Sequence, residues 1–200
     1  MKVFIFDTET TGFTMRDRPL HEQPHIVQFA GIMIDISWSG EYQEVERVNE
    51  LVKCPVPIPF GASQVHGIYD KDVVDKQPIA DQIDHFLRYL NGADIVCGHN
   101  IEYDETVINY ELERLRRKGD YQPQKVVCTM KDTVEFCKLP GRGIGYKYPK
   151  LNELYKVLFS EHFEWAHDAM IDVEATLRAF AELVKRGELK LQTSEVMRLF

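Results

Sequence analysis

The chain has 200 residues and a mass of 23.3 kDa, with 44% hydrophobic and 28% charged residues, which suits one domain with a full core and excludes a disordered polymer. Its 24 Lys and Arg stand against 32 Asp and Glu, and the net charge of −8 excludes a protein that coats duplex nucleic acid by bulk electrostatics. No apolar run reaches the roughly 18 to 20 residues of a membrane span, and Met1 to Phe13 lacks the pattern of a signal peptide, so the expectation is a cytoplasmic protein without a membrane partner.

Lys2 to Asp7 is a short run of β-branched and aromatic residues, apolar on both faces as a central strand should be, and it ends in carboxylates. Residues 26–36 and about 44–53 read as two further strands joined at the Ser39-Gly40 turn signal, an antiparallel hairpin. The period then changes. Residues 79–90 place Ile79, Ile83, Phe86, Leu87 and Leu90 at helical spacing, with Asn91-Gly92 as a stop. A strand from Asp94 to Cys97 precedes a helix over 101–118, whose stripe is Ile101, Ile108, Leu112 and Leu115 and whose end is cationic, as the helix dipole favours. Val126 to Cys128 reads as a fifth strand, residues 131–137 as a helix, and 168–186 as the last long helix. Strands first, then alternating helix and strand, is the pattern of a mixed-sheet α/β domain. Segments 13–25, 53–63 and 138–150 read as surface loops, and 187–200 as a C-terminal tail on a single domain spanning 1–200. Cys54, Cys97, Cys128 and Cys137 have no zinc-ligand spacing and are expected as reduced thiols.

Several carboxylates do not belong where they fall. Asp7 and Glu9, two apart on a strand, emerge on one face, which places like charges together beside a core. Asp104 lies within the apolar stripe of its helix; it is either a buried acid in need of a partner or an acid suited to the helix's first turn. Asp168 is placed to cap the last helix, while Asp172 stands beside Ala169 and Val173. His167 precedes that helix and has the side-chain chemistry for proton transfer, although a surface-loop histidine would look the same. Acids at strand ends and helix starts, with one histidine, compose a site of hard oxygen ligands, and two divalent ions about 3.5–4 Å apart would serve an in-line phosphoryl displacement.

Phe6-Asp7-Thr8-Glu9-Thr10-Thr11-Gly12, then His99-Asn100-Ile-Glu-Tyr-Asp104, then His167 five residues before Asp172, resemble the three exonuclease motifs of the DnaQ-like DEDD family, histidine subgroup, which includes the epsilon proofreading subunit of bacterial DNA polymerase III. Val65-His66-Gly67-Ile68 and Tyr148-Pro149-Lys150-Leu151 add to the likeness, which spans about residues 2–186. The resemblance implies a ribonuclease H-like, three-layer α/β fold with a five-stranded mixed sheet flanked by helices. It implies a 3′-to-5′ exonuclease using two divalent ions, Mg²⁺ or Mn²⁺. Asp7, Glu9 and Asp172 would hold the first ion, and Asp7 with Asp104, directly or through water, the second. His167 would be the general base that activates water against the terminal phosphodiester, releasing a nucleoside 5′-monophosphate, with His162 as its rival. Thr10, Thr11 and Phe13 would contact the terminal nucleotide, and His66 and Asn100 would line its pocket. Each has a local alternative: a satisfied turn for the threonines, core packing for Phe13, helix capping for His66 and Asn100. Tyr103 departs from the phenylalanine common in the family at that position.

The implied substrate is the 3′ end of single-stranded or frayed DNA in proofreading or repair, with the enzyme acting either alone or as the partner of a polymerase. RNA on the same site is the near alternative, since 2′-hydroxyl discrimination depends on pocket shape. A non-catalytic nucleic-acid-binding accessory module is the alternative of another class; it predicts a lost acid, and none is lost. The charge distribution bears on the substrate: residues 110–156 carry 11 basic and 6 acidic groups, a +5 segment in an acidic protein. Within it Arg142, Tyr146, Lys147 and Tyr148 could track a single strand by phosphate contact and stacking, or form a loop without ligand. The terminal Val196-Met-Arg-Leu-Phe200 is faintly like a sliding-clamp peptide but lacks the leading glutamine, and reads instead as a packed end.

Overall fold

The computed structural model describes residues 1–161, 168–189 and 191. Its strands are β1 (Lys2–Thr10), β2 (Ile26–Ile36), β3 (Tyr42–Leu51), β4 (Ile95–Gly98) and β5 (Val126–Cys128), in one sheet of order β3-β2-β1-β4-β5. β1 pairs antiparallel with β2 and parallel with β4, β2 antiparallel with β3, and β4 parallel with β5. The helices are α1 (Phe60–His66), α2 (Asp70–Val73), α3 (Ile79–Gly92), α4 (Ile101–Arg114), α5 (Thr129–Asp132), α6 (Val134–Cys137), α7 (Leu151–Phe159) and α8 (Ala169–Lys185). Among the described residues no helix is long and apolar enough to cross a membrane.

The alternation of β1 explains the layers. Phe4 and Phe6 join Phe29, Phe86, Tyr89, Ile101 and Ile108 in the core under α3 and α4. Val3 and Ile5 join Ala169, Val173, Leu177 and Phe180 in the core under α8. Burial of each of Val3, Phe4, Ile5 and Phe6 contributes about 1.5–3 kcal/mol, so β1 is held from both faces and cannot shift along its neighbours cheaply. The Phe29 and Phe86 rings stack with centroids 4.1 Å apart, and a Cβ on Gly31 would lie 2.2 Å from the Phe4 ring, which is why the strand beside it carries glycine there.

Several boundaries differ from the sequence reading. β1 continues beyond Asp7 to Thr10 because β2 goes on satisfying its backbone, with Asp7 opposite Ala30 and Glu9 opposite Gln28. α4 ends at Arg114, four residues early: Arg116 takes a left-handed φ of 59° and the Arg117 N–H turns back to the Leu112 carbonyl. α3 runs through Asn91-Gly92 before the chain turns extended at Ala93. The segment 53–63, read as loop, already contains the start of α1, and the helix read over 131–137 is two short helices broken at Thr133. α7 has no counterpart in the sequence reading; Glu153 starts it by accepting the Lys150 N–H at 2.8 Å.

Candidate active site

The site is built on the end of β1 and the starts of two helices packed on opposite faces of the sheet. Asp7 and Glu9 share the face of Val3 and Ile5, the face that α8 covers. Asp168 begins α8, its carboxylate accepting the Met170 N–H at 2.9 Å, and this cap fixes the first turn that presents Asp172. The carboxylate oxygens of Asp7, Glu9 and Asp172 lie within 4.8 Å of one another, close enough to share one cation.

Asp104 reaches the site from the other face. Its Oδ1 accepts the Thr8 N–H at 3.0 Å and the Thr8 hydroxyl at 2.6 Å, so the residue between the two strand acids ties α4 to β1. Asp104 is buried and stands outside the close trio, yet its charge is the leading one acting on Asp7. Gly98 makes this approach possible: a Cβ there would lie 3.1 Å from the Phe6 carbonyl and 3.2 Å from Ile101, where β4 turns into α4.

Crowding of like charges shows in the acidities. Burial, then the charges of Asp104, Glu9 and Asp172, hold Asp7 well above the usual carboxylate range. Burial, then Asp172 and Asp104, push Glu9 up to about 8. Burial raises Asp104 to about 7 against the opposing hydrogen bonds of Thr8. Among the described residues no Lys or Arg forms an ion pair with Asp7, Glu9 or Asp104. Hard oxygen donors in this number fit Mg²⁺ or Mn²⁺.

The turn after the acids is tightly specified. A register shift between Glu9 and Thr10 re-aims the strand as it leaves the sheet. The buried Thr10 hydroxyl donates to the Gly12 carbonyl at 2.8 Å and lies 2.5 Å from the Tyr103 hydroxyl, which itself donates to Gly12 at 2.7 Å. Thr11 Oγ1 accepts the His25 N–H at 2.9 Å. The Thr10 hydroxyl is therefore engaged within the turn and that of Thr11 with the chain entering β2, whereas Phe13 is 87% exposed and fills no core. His66 is buried at the end of α1, opposite to a capping place at a helix start; its Nδ1 accepts the Ile68 N–H at 3.0 Å and burial lowers its pKa. Asn100 is exposed with a left-handed φ of 66° and makes no side-chain cap on α4. His167 and its rival His162 lie outside the described residues, as does the clamp-like terminus.

Two loops flank the acids. Segment 11–25 is bound to α4 by buried Glu111, which accepts from His25 Nδ1 and the Ile26 N–H at 3.1 Å each, and by Arg114, which donates to the Leu20, Gln23 and Pro24 carbonyls. A cavity of about 340 Å³ opens there beside Phe13, Met15, His25 and Pro57. On the other flank, His99 Nε2 donates to the Pro149 carbonyl at 3.0 Å and its Nδ1 lies 3.0 Å from Thr129 Oγ1; burial drops this histidine to about 4, so it is neutral. Sequence reasoning missed Thr8, whose partner is 96 residues away, and the use of the Tyr103 hydroxyl. A polar residue between two strand acids was the available signal for the first.

A mixed five-stranded sheet, helices on both faces and a carboxylate cluster at the end of its central strand define a hydrolase suited to phosphodiesters. The sequence signature of the RNase_T family, described as exonuclease, matches residues 4–180. The chain belongs to this exonuclease family, and the enzyme class that follows is a 3′-to-5′ exonuclease. It is 31% identical over 172 residues to the DNA polymerase III subunit epsilon of Buchnera aphidicola, covering 86% of this chain and 68% of that one. It is 28% identical over 183 residues to the 3′-5′ exonuclease DinG of Bacillus subtilis, covering 91% of this chain and 17% of DinG. In three dimensions it is similar to the nuclease domain of 3′hExo, a DEDDh family member bound to rAMP, with a TM-score of 0.73 at 15% identity over 96% of both chains. The fold is accordingly ribonuclease H-like.

Proposed function

We propose that this chain, as one catalytic domain, removes nucleotides from the 3′ end of single-stranded or frayed DNA and releases nucleoside 5′-monophosphates. The observation that carries the reading is the gathering of Asp7, Glu9 and Asp172 within 4.8 Å, with Asp104 raising Asp7 from beside them. Asp7, Glu9 and Asp172 would hold one divalent cation, and Asp7 with Asp104, directly or through water, would hold a second, Mg²⁺ or Mn²⁺. Such ions stabilise the charge that develops on the attacking and leaving oxygens of an in-line displacement.

The chain's own residues do the rest. Thr8 keeps Asp104 aimed at the end of β1, and the Asp168 cap keeps Asp172 over it. His167 takes the proton of the attacking water. Phe13, free of the core, packs on the terminal base while the Tyr103-braced turn sets the distance between that base and the acids. The likeness to a polymerase III epsilon subunit favours DNA over RNA and supports a proofreading role beside a polymerase.

The test is digestion of matched 5′-labelled single-stranded DNA and RNA with Mg²⁺, Mn²⁺ or chelator, beside Asp7→Ala. The expected result is a ladder shortening from the 3′ end of DNA, absent with chelator and in the variant. A ladder on RNA alone transfers the reading to an exoribonuclease, and an unchanged rate in Asp7→Ala removes the site assignment.

A further inference from the structure

Resting on that reading, we infer that loop 139–149 is the second wall of the substrate groove and grips the single strand upstream of the terminal nucleotide. Its position follows from the sheet. β4 runs parallel to β1, paired from Val3 and Ile95 to Ile5 and Cys97, and His99 follows the last residue of β4, at the same end of the sheet as Asp7. β5 pairs Cys128 with Gly98, and Thr129, which opens α5, has its hydroxyl 3.2 Å from the Gly98 carbonyl at that same end. His99 joins Thr129 to the Pro149 carbonyl, and this clamp plants the base of the loop at the end of the sheet where β1 carries the acids. The other wall, segment 11–25, is fixed on the β2 side through Thr11, His25 and Glu111. The carboxylates lie between the two.

The loop's own chemistry matches a single strand. It is a closed excursion: the Lys147 N–H donates to the Leu139 carbonyl at 3.0 Å and the Gly141 N–H to Gly145 at 3.2 Å. Its side chains point outward. Tyr146 is 45% exposed, Tyr148 58%, and Ile144 at the tip has no cover at all. Arg142 is exposed and has no ion-pair partner among the described residues, while Lys147 is held only by the half-exposed Glu153. Aromatic and apolar faces next to cations, in a protein of net charge −8, suit unpaired bases on a phosphate backbone and not an acidic or apolar protein surface alone. The loop acts on strands long enough to reach it and leaves the chemistry at the acids untouched.

The experiment is a length series from dinucleotide to 20-mer single-stranded DNA, digested with Mg²⁺ by the wild type and by the full chain carrying Arg142→Ala, Tyr146→Ala and Tyr148→Ala. Thermal unfolding of both checks the fold. The expected result is kcat/KM within about twofold on the shortest oligonucleotide the wild type cleaves, and a KM for the 20-mer raised about tenfold or more, with kcat kept. Arg142→Ala alone should flatten the plot of log affinity for the 20-mer against log salt by about 0.7. A KM unchanged on the 20-mer, as a protein-docking loop predicts, or an equal loss at every length, overturns the proposal. A wild type inactive at every length removes the exonuclease reading instead.

Discussion

Glu9→Gln should end turnover and, at the same time, stabilise the cation-free fold, because the wild-type carboxylate is held where ionisation is unfavourable. Glu9 titrates near 8 in the fold against about 4.5 in an unfolded chain. With the folded pKa raised, the native state keeps a proton that the unfolded state gives up, so the penalty is absent below pH 4.5 and grows as pH rises towards 8. At about 1.36 kcal/mol per pH unit the penalty at pH 7 is about 3 kcal/mol, and partial solvent access reduces it to about 2. Glutamine is neutral in both states and escapes it. For a chain of this size, 1 kcal/mol moves Tm by about 2–4 °C, so Glu9→Gln in chelator should melt about 4–8 °C above the wild type at pH 7 and close to it at pH 5. Scanning calorimetry of both proteins from pH 5 to 8 measures this; the difference cancels the titrating groups that Glu9 does not touch, while Asp7, which the Glu9 charge raises, is relieved in the variant and adds to the shift in the same direction. Mn²⁺ should raise the wild-type Tm more than that of the variant. A Tm difference constant across pH, or persistent turnover in Glu9→Gln, would refute the reasoning.

His167→Ala should leave cation binding by calorimetric titration intact and lower kcat by roughly 10² to 10⁴; a normal rate would move proton abstraction to His162 or to solvent. Tyr103→Phe removes a hydroxyl that bridges Gly12 and Thr10. It should cost about 1 kcal/mol of stability and raise KM a few-fold at constant kcat, since only the turn that seats the last nucleotide loosens; steady-state kinetics on a short oligonucleotide separates the two effects.

Much of this architecture is legible in the sequence because β1 is buried on both faces, and a run such as Val3 to Phe6 has few other homes. The anomaly of Asp104 is legible for the same reason: an apolar stripe makes its one acid visible. α7 is not, although Leu151, Leu154, Tyr155 and Leu158 have helical spacing, because nine residues after a proline form too short a stripe to stand out. α1 begins directly after Pro59, within a segment whose prolines argue for loop. The bonds that hold the site are the least legible. Thr8 to Asp104 and Tyr103 to Gly12 join residues more than 90 positions apart, and no local pattern encodes which hydroxyl meets which carboxylate or carbonyl.

The three consecutive residues Asp7, Thr8 and Glu9 serve opposite sides of one strand, the acids towards α8 and the threonine towards α4. Insertion or loss of a single residue in β1 would exchange the sides and dismantle both halves of the site together. The segment is thus closed to change in length, while doubling a surface loop costs only about 0.6 kcal/mol in closure entropy. Divergence in which strands are accepted is thereby channelled into the walls at 11–25 and 139–149, and a new specificity can arise there without the reaction having to be reinvented.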